Sequence, residues 1–332
     1  MAISMDAIKK LRAMTGAGLA DVKKALTEAG GDMDKAKDIL RQKGQAIAAK
    51  RADRETSNGC VLAKVAEGFA AIIALKCETD FVANNADYIK LTQEILDAAV
   101  AAKAADLDAV KALTLANGLT VEAAVTERSG VTGEKMELDG YLTITGDNVE
   151  AYNHMNRNGL CTLVQTNKPA AEQAHAICMQ VAAMKPVALN EESVSQATKD
   201  DELKVAIEKT KEEQIARQVN VALKKAGINP AHVDSEDHIE SNTKKGWLTE
   251  EQAAQAREII KTEGEKAAAN LKEQMIQNIA KGRMAKFFKE NCLVDQEFQF
   301  ADGDKISVKD WLKAQDKDLA IVDYKRFTLV AD

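Results

Sequence analysis

From about Asn190 to Asn291 the chain is charged, poor in glycine and helical in pattern, and its apolar residues form only a narrow seam. Leu203, Ile207, Ile215, Val219 and Leu223 mark one arm as far as Ala226, and Ile259, Leu271, Met275 and Ile279 mark a second. G-I-N-P at 227–230 breaks the first arm, a polar segment fills 231–246, and Thr249 with Gln252 opens the second arm as a capping box. So thin a seam suits two helices that pair antiparallel and project from a body. Arms of about forty residues would each extend roughly 50 to 60 Å at 1.5 Å per residue.

The flanking segments supply that body. Ser4 can cap a helix bearing Ile8, Leu11 and Met14, and T-G-A-G at 15–18 breaks it. Leu19, Val22 and Leu26 mark a second helix, and Gly30-Gly31-Asp32 closes it and caps a third with Met33, Ala36, Ile39 and Leu40. Residues 45–58 read as a polar connection, so 1–54 form a three-helix module. Cys60–Val65 and Phe69–Cys77 then read as an antiparallel hairpin, followed by a helix from Ala86 to Lys103 with Ile89, Ile95, Leu96 and Val100 as its stripe and by shorter helices to about 129. A similar plan recurs. Tyr141–Ile144 and Leu160–Thr166 read as a second hairpin with a long tip around Tyr152–Asn156, and Pro169 opens a helix ending near Lys185-Pro186. Phe298, Phe300 and the run 321–330 return to strand.

The expected fold is therefore α+β: the three-helix module, a core of two subdomains with antiparallel strands (55–139, then 140–189 with 292–332), and a long antiparallel helical hairpin, 190–291, inserted in the second. Composition agrees, since aromatic residues make up only 4% of the chain and three residues are proline, which favours helix over an all-β fold.

Several functional classes drop out. No apolar run approaches the roughly 18 to 20 residues needed to cross a bilayer, and the start lacks the pattern of a signal peptide, so a cytoplasmic location is expected. The five cysteines (60, 77, 161, 178, 292) are odd in number, widely spaced and never C-x-x-C, which argues against a zinc site or a disulfide framework and marks them as small buried residues. There is no G-x-x-x-x-G-K-S/T or G-x-G-x-x-G to cradle phosphate. The four histidines are too scattered for a metal cluster: His154 falls on a hairpin tip, His175 in a helix, His232 and His238 in the polar segment. A hydrolase built on Cys77, His154 and Asp80 has the residue types but neither a nucleophile elbow nor a local cysteine-protease signature. A net charge of -7 disfavours nonspecific nucleic-acid binding. Residues 1–54, however, hold twelve Lys and Arg against seven Asp and Glu, a local +5 suited to an acidic partner surface or to a solvated helix face.

The segment C-E-T-D-F-V-A-N at 77–84 lies between a strand and a helix. Thr79 or Asp80 can cap that helix while Phe81 fills a core gap, or Phe81 and Asp80 can face outward to meet another molecule.

L-R-A-M-T-G-A-G-L-A-D-V-K-K-A-L at 11–26, T-D-F-V at 79–82, Y-N-H at 152–154, V-A-A-M-K-P at 181–186 and G-R-M-A-K-F-F at 282–288 occur in an order that resembles the bacterial translation elongation factor Ts family, over nearly the whole chain. The resemblance implies a non-enzymatic guanine nucleotide exchange factor for elongation factor Tu, with no catalytic residue, metal ligand or cofactor of its own and no direct binding of nucleotide, nucleic acid or membrane; a homodimer stays open. It implies that the first module is similar to a ubiquitin-associated domain and contacts the GTPase through Lys23. It implies further that Thr79, Asp80, Phe81 and Val82 form a wedge, in which Asp80 and Phe81 would enter near the partner's magnesium and phosphate site. His154 matches a histidine that reaches a non-GTPase domain. The family's Ile-Gly contact falls at Thr132-Gly133, which keeps only Gly133. On this resemblance the hairpin would carry an extra portion, about 213–266, and a C-terminal helix that some members have would be missing. The rival expectation is a scaffold or chaperone-like protein that uses the helical hairpin and leaves nucleotide undisturbed.

Overall fold

The computed structural model describes residues 3–301, 303 and 305–329, so Val330 and the extreme ends of the expected ranges 1–54 and 292–332 lie outside the described residues. The chain divides into two compact units, one running up to Pro186 and resuming at Glu297, the other Val187–Gln296.

The first unit opens with helices α1 (Met5–Thr15), α2 (Leu19–Glu28) and α3 (Met33–Lys50). The expected caps are in place: Ser4 accepts from Ala7 N, Asp32 accepts from Asp34 N and Lys35 N, and Gly16 ends α1 in the left-handed region. Ile8, Leu11, Val22, Ala25, Leu26 and Ala36 form a separate small core. One boundary differs, because α3 continues through 45–50, which reads from sequence as connection. It does so by packing on α7 (Val121–Thr132), where Gly44 and Gly130 face each other so closely that a Cβ on Gly130 would lie 2.1 Å from the Gly44 Cα.

Strands β1 (Asn58–Ala66) and β2 (Phe69–Cys77) form the expected hairpin, and α4 (Asp80–Ala83), α5 (Ala86–Ala102), α6 (Leu107–Ala112) and α7 follow. The next strand corrects the sequence reading. Tyr141–Ile144 belongs to β3 (Met136–Thr145), which pairs with β2 and not with 160–166, giving the sheet order β1-β2-β3. Gly146 and Asn148, both at positive φ, turn the chain into β4 (Val149–Asn153), and it is β4 that pairs with β5 (Leu160–Thr166). With β6 (Ile321–Thr328) on the far side of β5, the second sheet has the order β4-β5-β6. V-E-A-Y-N is too polar and too short to announce itself as a strand.

The period-two geometry of β2 shows how the layers stack. Phe69, Ala71, Ile73 and Leu75 pack with Tyr88, Ile95, Leu96 and Ala99 of α5, while Ala70, Ile72 and Ala74 pack with Cys161 and Leu163 of the second sheet. Helix α8 (Ala171–Met184) covers the outer face of that sheet, where the Thr162 hydroxyl donates to the Cys178 carbonyl at 3.1 Å.

The second unit contains α9 (Gln196–Lys225), α10 (Glu236–Lys244), α11 (Glu250–Ala269) and α12 (Glu273–Asn291). Helix α9 packs antiparallel to the returning chain, as expected, and the Thr249–Gln252 capping box is present. The returning arm is not continuous: it breaks at 270–272, so α9 meets α11 and α12 in succession. The segment 231–246 holds α10, and its Val233 and Ile239 join Val219, Leu223, Ile228, Leu248, Ala253 and Ala256 in a core at the hairpin's end. On α12 the seam is carried by buried Ile276 and Ala280, whereas Met275 is exposed.

After this unit, Phe298 and Phe300 do not form a strand. Phe298 is buried with its ring 4.2 Å from that of Trp311 on α13 (Val308–Gln315), and Phe300 is exposed. No helix among the described residues is long and apolar enough to cross a membrane.

Gly130→Ala should force α3 and α7 apart, since the neighbouring atom is backbone and cannot rotate away. The expected loss is about 1–3 kcal/mol of stability, measured by urea or thermal unfolding.

Candidate functional site

Strand β2 delivers the chain to the outer end of the core at Cys77, and the residues after it are fixed one by one. Glu78 has little exposed side chain, and its carboxylate accepts from Lys135 N at 2.6 Å, from Arg54 Nη1 at 2.9 Å and from Arg51 Nη1 at 3.1 Å. Burial raises its pKa, but the Lys135 amide and the two guanidiniums outweigh that and bring it down to about 2. One carboxylate thus joins the end of the three-helix module to the exit of β2 and the start of β3.

Thr79 is the N-cap of α4: its hydroxyl oxygen accepts from Val82 N at 3.4 Å and donates to Glu134 Oε1 at 2.6 Å, while its N–H donates to Glu134 Oε2 at 3.0 Å. Asn84 Nδ2 closes the single turn on the Asp80 carbonyl at 2.9 Å, and Asn85 immediately caps α5. Two successive caps leave the turn little freedom. Val82 and Ala83 pack on the core, which turns Asp80 and Phe81 outward. Phe81 is 85% exposed. Of the two readings open at sequence level, the cap is right for Thr79 and the core-filling role of Phe81 is wrong.

Glu134 also brings Gly133 to this end of the molecule. Gly133 ends α7 at φ +72, with its N–H on the Ser129 carbonyl, and directly precedes the carboxylate that holds Thr79. Thr132 is half-buried, and its hydroxyl accepts from Glu134 N. Lys23 is exposed on α2, and His154 is exposed on the turn between β4 and β5. Among the described residues no hydrogen bond, ion pair or ring contact joins either of them to the turn 79–82.

The imagined nucleophile is disposed of by its surroundings. Burial first pushes the Cys77 thiol up to about 11, and its Sγ donates to the Thr79 carbonyl at 3.2 Å. All five cysteines are buried and free, as their spacing suggested. Neither Glu78 nor Glu134 belongs to a motif that marks it in the sequence. Their partners lie far off in sequence, Arg51 and Arg54 at 27 and 24 residues from Glu78 and Thr79 at 55 residues from Glu134, so local pattern does not announce either carboxylate.

The chain matches the family model described as Elongation factor TS over residues 78–219 and 205–331. It is 61% identical to elongation factor Ts of Bacteroides fragilis and 60% identical to that of Bacteroides thetaiotaomicron, in each case over 333 aligned residues and 100% of both chains. The chain belongs to the elongation factor Ts family. Elongation factor Ts of Porphyromonas gingivalis is 40% identical over the same full coverage. These relatives align along their whole length, so the aligned region includes the segment 187–296. Membership makes the chain a translation elongation factor, and the turn bearing Phe81 lies within the matched region.

A carboxyl whose folded pKa lies below its unfolded value adds stability above the unfolded value and loses it as pH falls toward the folded one. For Glu78 that window runs from the ordinary 4.5 down to about 2. Glu78→Gln should therefore flatten the acid-side fall of unfolding free energy across this window. It should also lower stability near neutral pH by up to about 3 kcal/mol, measured by urea unfolding as a function of pH.

Proposed function

We propose that the chain is a guanine nucleotide exchange factor for elongation factor Tu, in which the turn Thr79–Val82 is the wedge. The observation that carries this reading is Phe81: a large aromatic side chain, 85% exposed, on a turn capped at both ends and fastened to the core through Glu134 and Val82. The backbone beneath this exposed aromatic is ordered before it binds, so only the side chain remains to be fixed in the complex. Asp80, beside it at the start of the turn, brings a negative charge toward the partner's magnesium and phosphate site and disturbs the surroundings of the metal. Lys23 and His154 act as two further contacts, on the GTPase domain and on a second domain of the partner, and Gly133 borders the wedge.

The energetics follow from linkage. GDP leaves slowly because phosphate and magnesium contacts break together, and a factor that binds the empty GTPase better than the loaded one weakens nucleotide by the same factor by which nucleotide weakens it. A single coupling of about 1–3 kcal/mol gives roughly 5- to 150-fold, so contacts spread over separate parts of the surface are needed to act together. Enclosure of the Phe81 ring by the partner contributes about 1.5–3 kcal/mol of that.

Phe81→Ala should leave the fold and its unfolding midpoint unchanged and slow release of mant-GDP from elongation factor Tu by about tenfold or more. Unchanged release with a large loss of thermal stability would return Phe81 to a structural role and remove the basis of the wedge. Lys23→Ala should weaken association mainly at low ionic strength, as an exposed charge acts chiefly on encounter. Association rates measured against salt concentration test this, and rates that match the native chain at every salt concentration would exclude Lys23 as a contact.

A further inference from the structure

The turn that carries His154 is built with unusual backbone. Met155, Asn156 and Asn158 have φ of +53, +52 and +54 without being glycine, a conformation that is uncommon for Met and more accessible to Asn. Here the contacts that hold the turn are visible. Asn153 Nδ2 donates to Asn158 Oδ1 at 2.7 Å, Asn158 N donates to Asn153 Oδ1 at 3.2 Å, and the Asn158 carbonyl accepts from Val61 N at 2.6 Å. The two asparagines close the turn on itself and on β1, so the direction of residue 154 is preset.

Tyr152 then sets the ring. Its hydroxyl lies 3.2 Å from His154 Nδ1, with the two rings edge to face at 5.8 Å and 71°. On its other side Tyr152 meets the His175 ring of α8, edge to face at 5.4 Å and 86°, and His175 Nδ1 is 3.4 Å from Glu150 Oε1. Tyr152 is half-buried and held between two imidazoles. Toward a neutral imidazole a phenol is the natural donor and the unprotonated ring nitrogen the natural acceptor; with the Tyr152 O–H on Nδ1, the remaining ring proton would reside on Nε2.

We infer that Tyr152 is a positioning residue for partner docking: it holds neutral His154 as the Nε2–H tautomer, so that the exposed ring offers a hydrogen-bond donor to an acceptor oxygen, a carboxylate or carbonyl, on the partner. This rests on the reading of His154 as a contact with elongation factor Tu and adds to it the chemistry that the contact recognises. A metal-ligating histidine has its tautomer fixed by a hydrogen bond at its far ring nitrogen; here half-buried Tyr152 does the same with the opposite polarity, leaving an N–H for a protein acceptor where the other case leaves a lone pair for a metal.

Nitrogen-15 labelling of histidine in the full-length chain tests it, because only four histidines give signals. Long-range proton–nitrogen correlation spectra are recorded at a pH where imidazoles are neutral, and the signals lost in His154→Gln identify the residue. The native chain should show a protonated Nε2 and an acceptor Nδ1 at His154. Tyr152→Phe, which keeps the ring and its packing, should move both nitrogens toward the tautomer mixture of free imidazole and weaken binding to elongation factor Tu by about 2- to 10-fold. A native His154 protonated on Nδ1, or nitrogen shifts that do not change in Tyr152→Phe, overturns the positioning role. If the shifts respond to Tyr152 as stated but His154→Gln binds elongation factor Tu as tightly as the native chain, the docking role fails. The reading of His154 as a contact then fails with it, separately from the tautomer assignment.

Discussion

The burial of β2 on both faces is the constraint from which the rest of the first unit follows. From Ala70 to Leu75 every residue is inaccessible to solvent, one set packed on α5 and the alternate set on the second sheet. A strand with no solvent face cannot slip by one residue without exchanging the two sets, and small Ala70, Ala71 and Ala74 interleaved with isoleucines fit one arrangement of neighbours. Because its register is fixed, the point where β2 ends is fixed as well. Tyr88 reinforces that end from α5, its hydroxyl donating to the Leu75 carbonyl at 2.6 Å inside the core. Chain leaving such a strand emerges at a defined place and in a defined direction, which is what an exposed aromatic side chain requires if it is to act on another protein.

Polar contacts then carry that order outward to the surface. Glu78 gathers two guanidiniums and an amide, and Glu134 receives both the N–H and the hydroxyl of Thr79. Each carboxylate is charge-assisted or doubly bonded, and each links parts of the chain far apart in sequence. The crossing of α3 and α7 at Gly44 and Gly130 adds a steric tie between the three-helix module and the core. Together these contacts make the three helices, the turn at 79–82 and the Gly133 loop parts of one unit. The hairpin, Val187–Gln296, is stabilised on different terms: its end has a core of its own, built from α9, α10, α11 and the loops between them.

Much of this was legible in the sequence because it is local. Caps at Ser4, Asp32 and Thr249 are settled by residues two or three apart, and the hairpin of β1 and β2 by two apolar runs around a Glu-Gly turn. What failed were the places where a distant neighbour outweighs local preference. Helix α3 outlasts its apolar pattern because α7 supports it; β3 joins β2 because its neighbour is chosen by the sheet and not by proximity in sequence; α11 and α12 part without a glycine or proline to announce it.

The sequence by itself determined the α+β class, the three-helix module, the long helical insertion, the buried cysteines and, through five short motifs, the family. It could not say which way Phe81 faces. Both readings of T-D-F-V satisfy the same local chemistry, a threonine cap and one turn of helix, and they differ only in whether core space remains for a ring once β2, α5 and Glu134 have taken their places. That is a matter of packing among residues up to 55 positions apart, and only the tertiary structure decides it: the space is filled by Val82 and Ala83, and the ring is left outside.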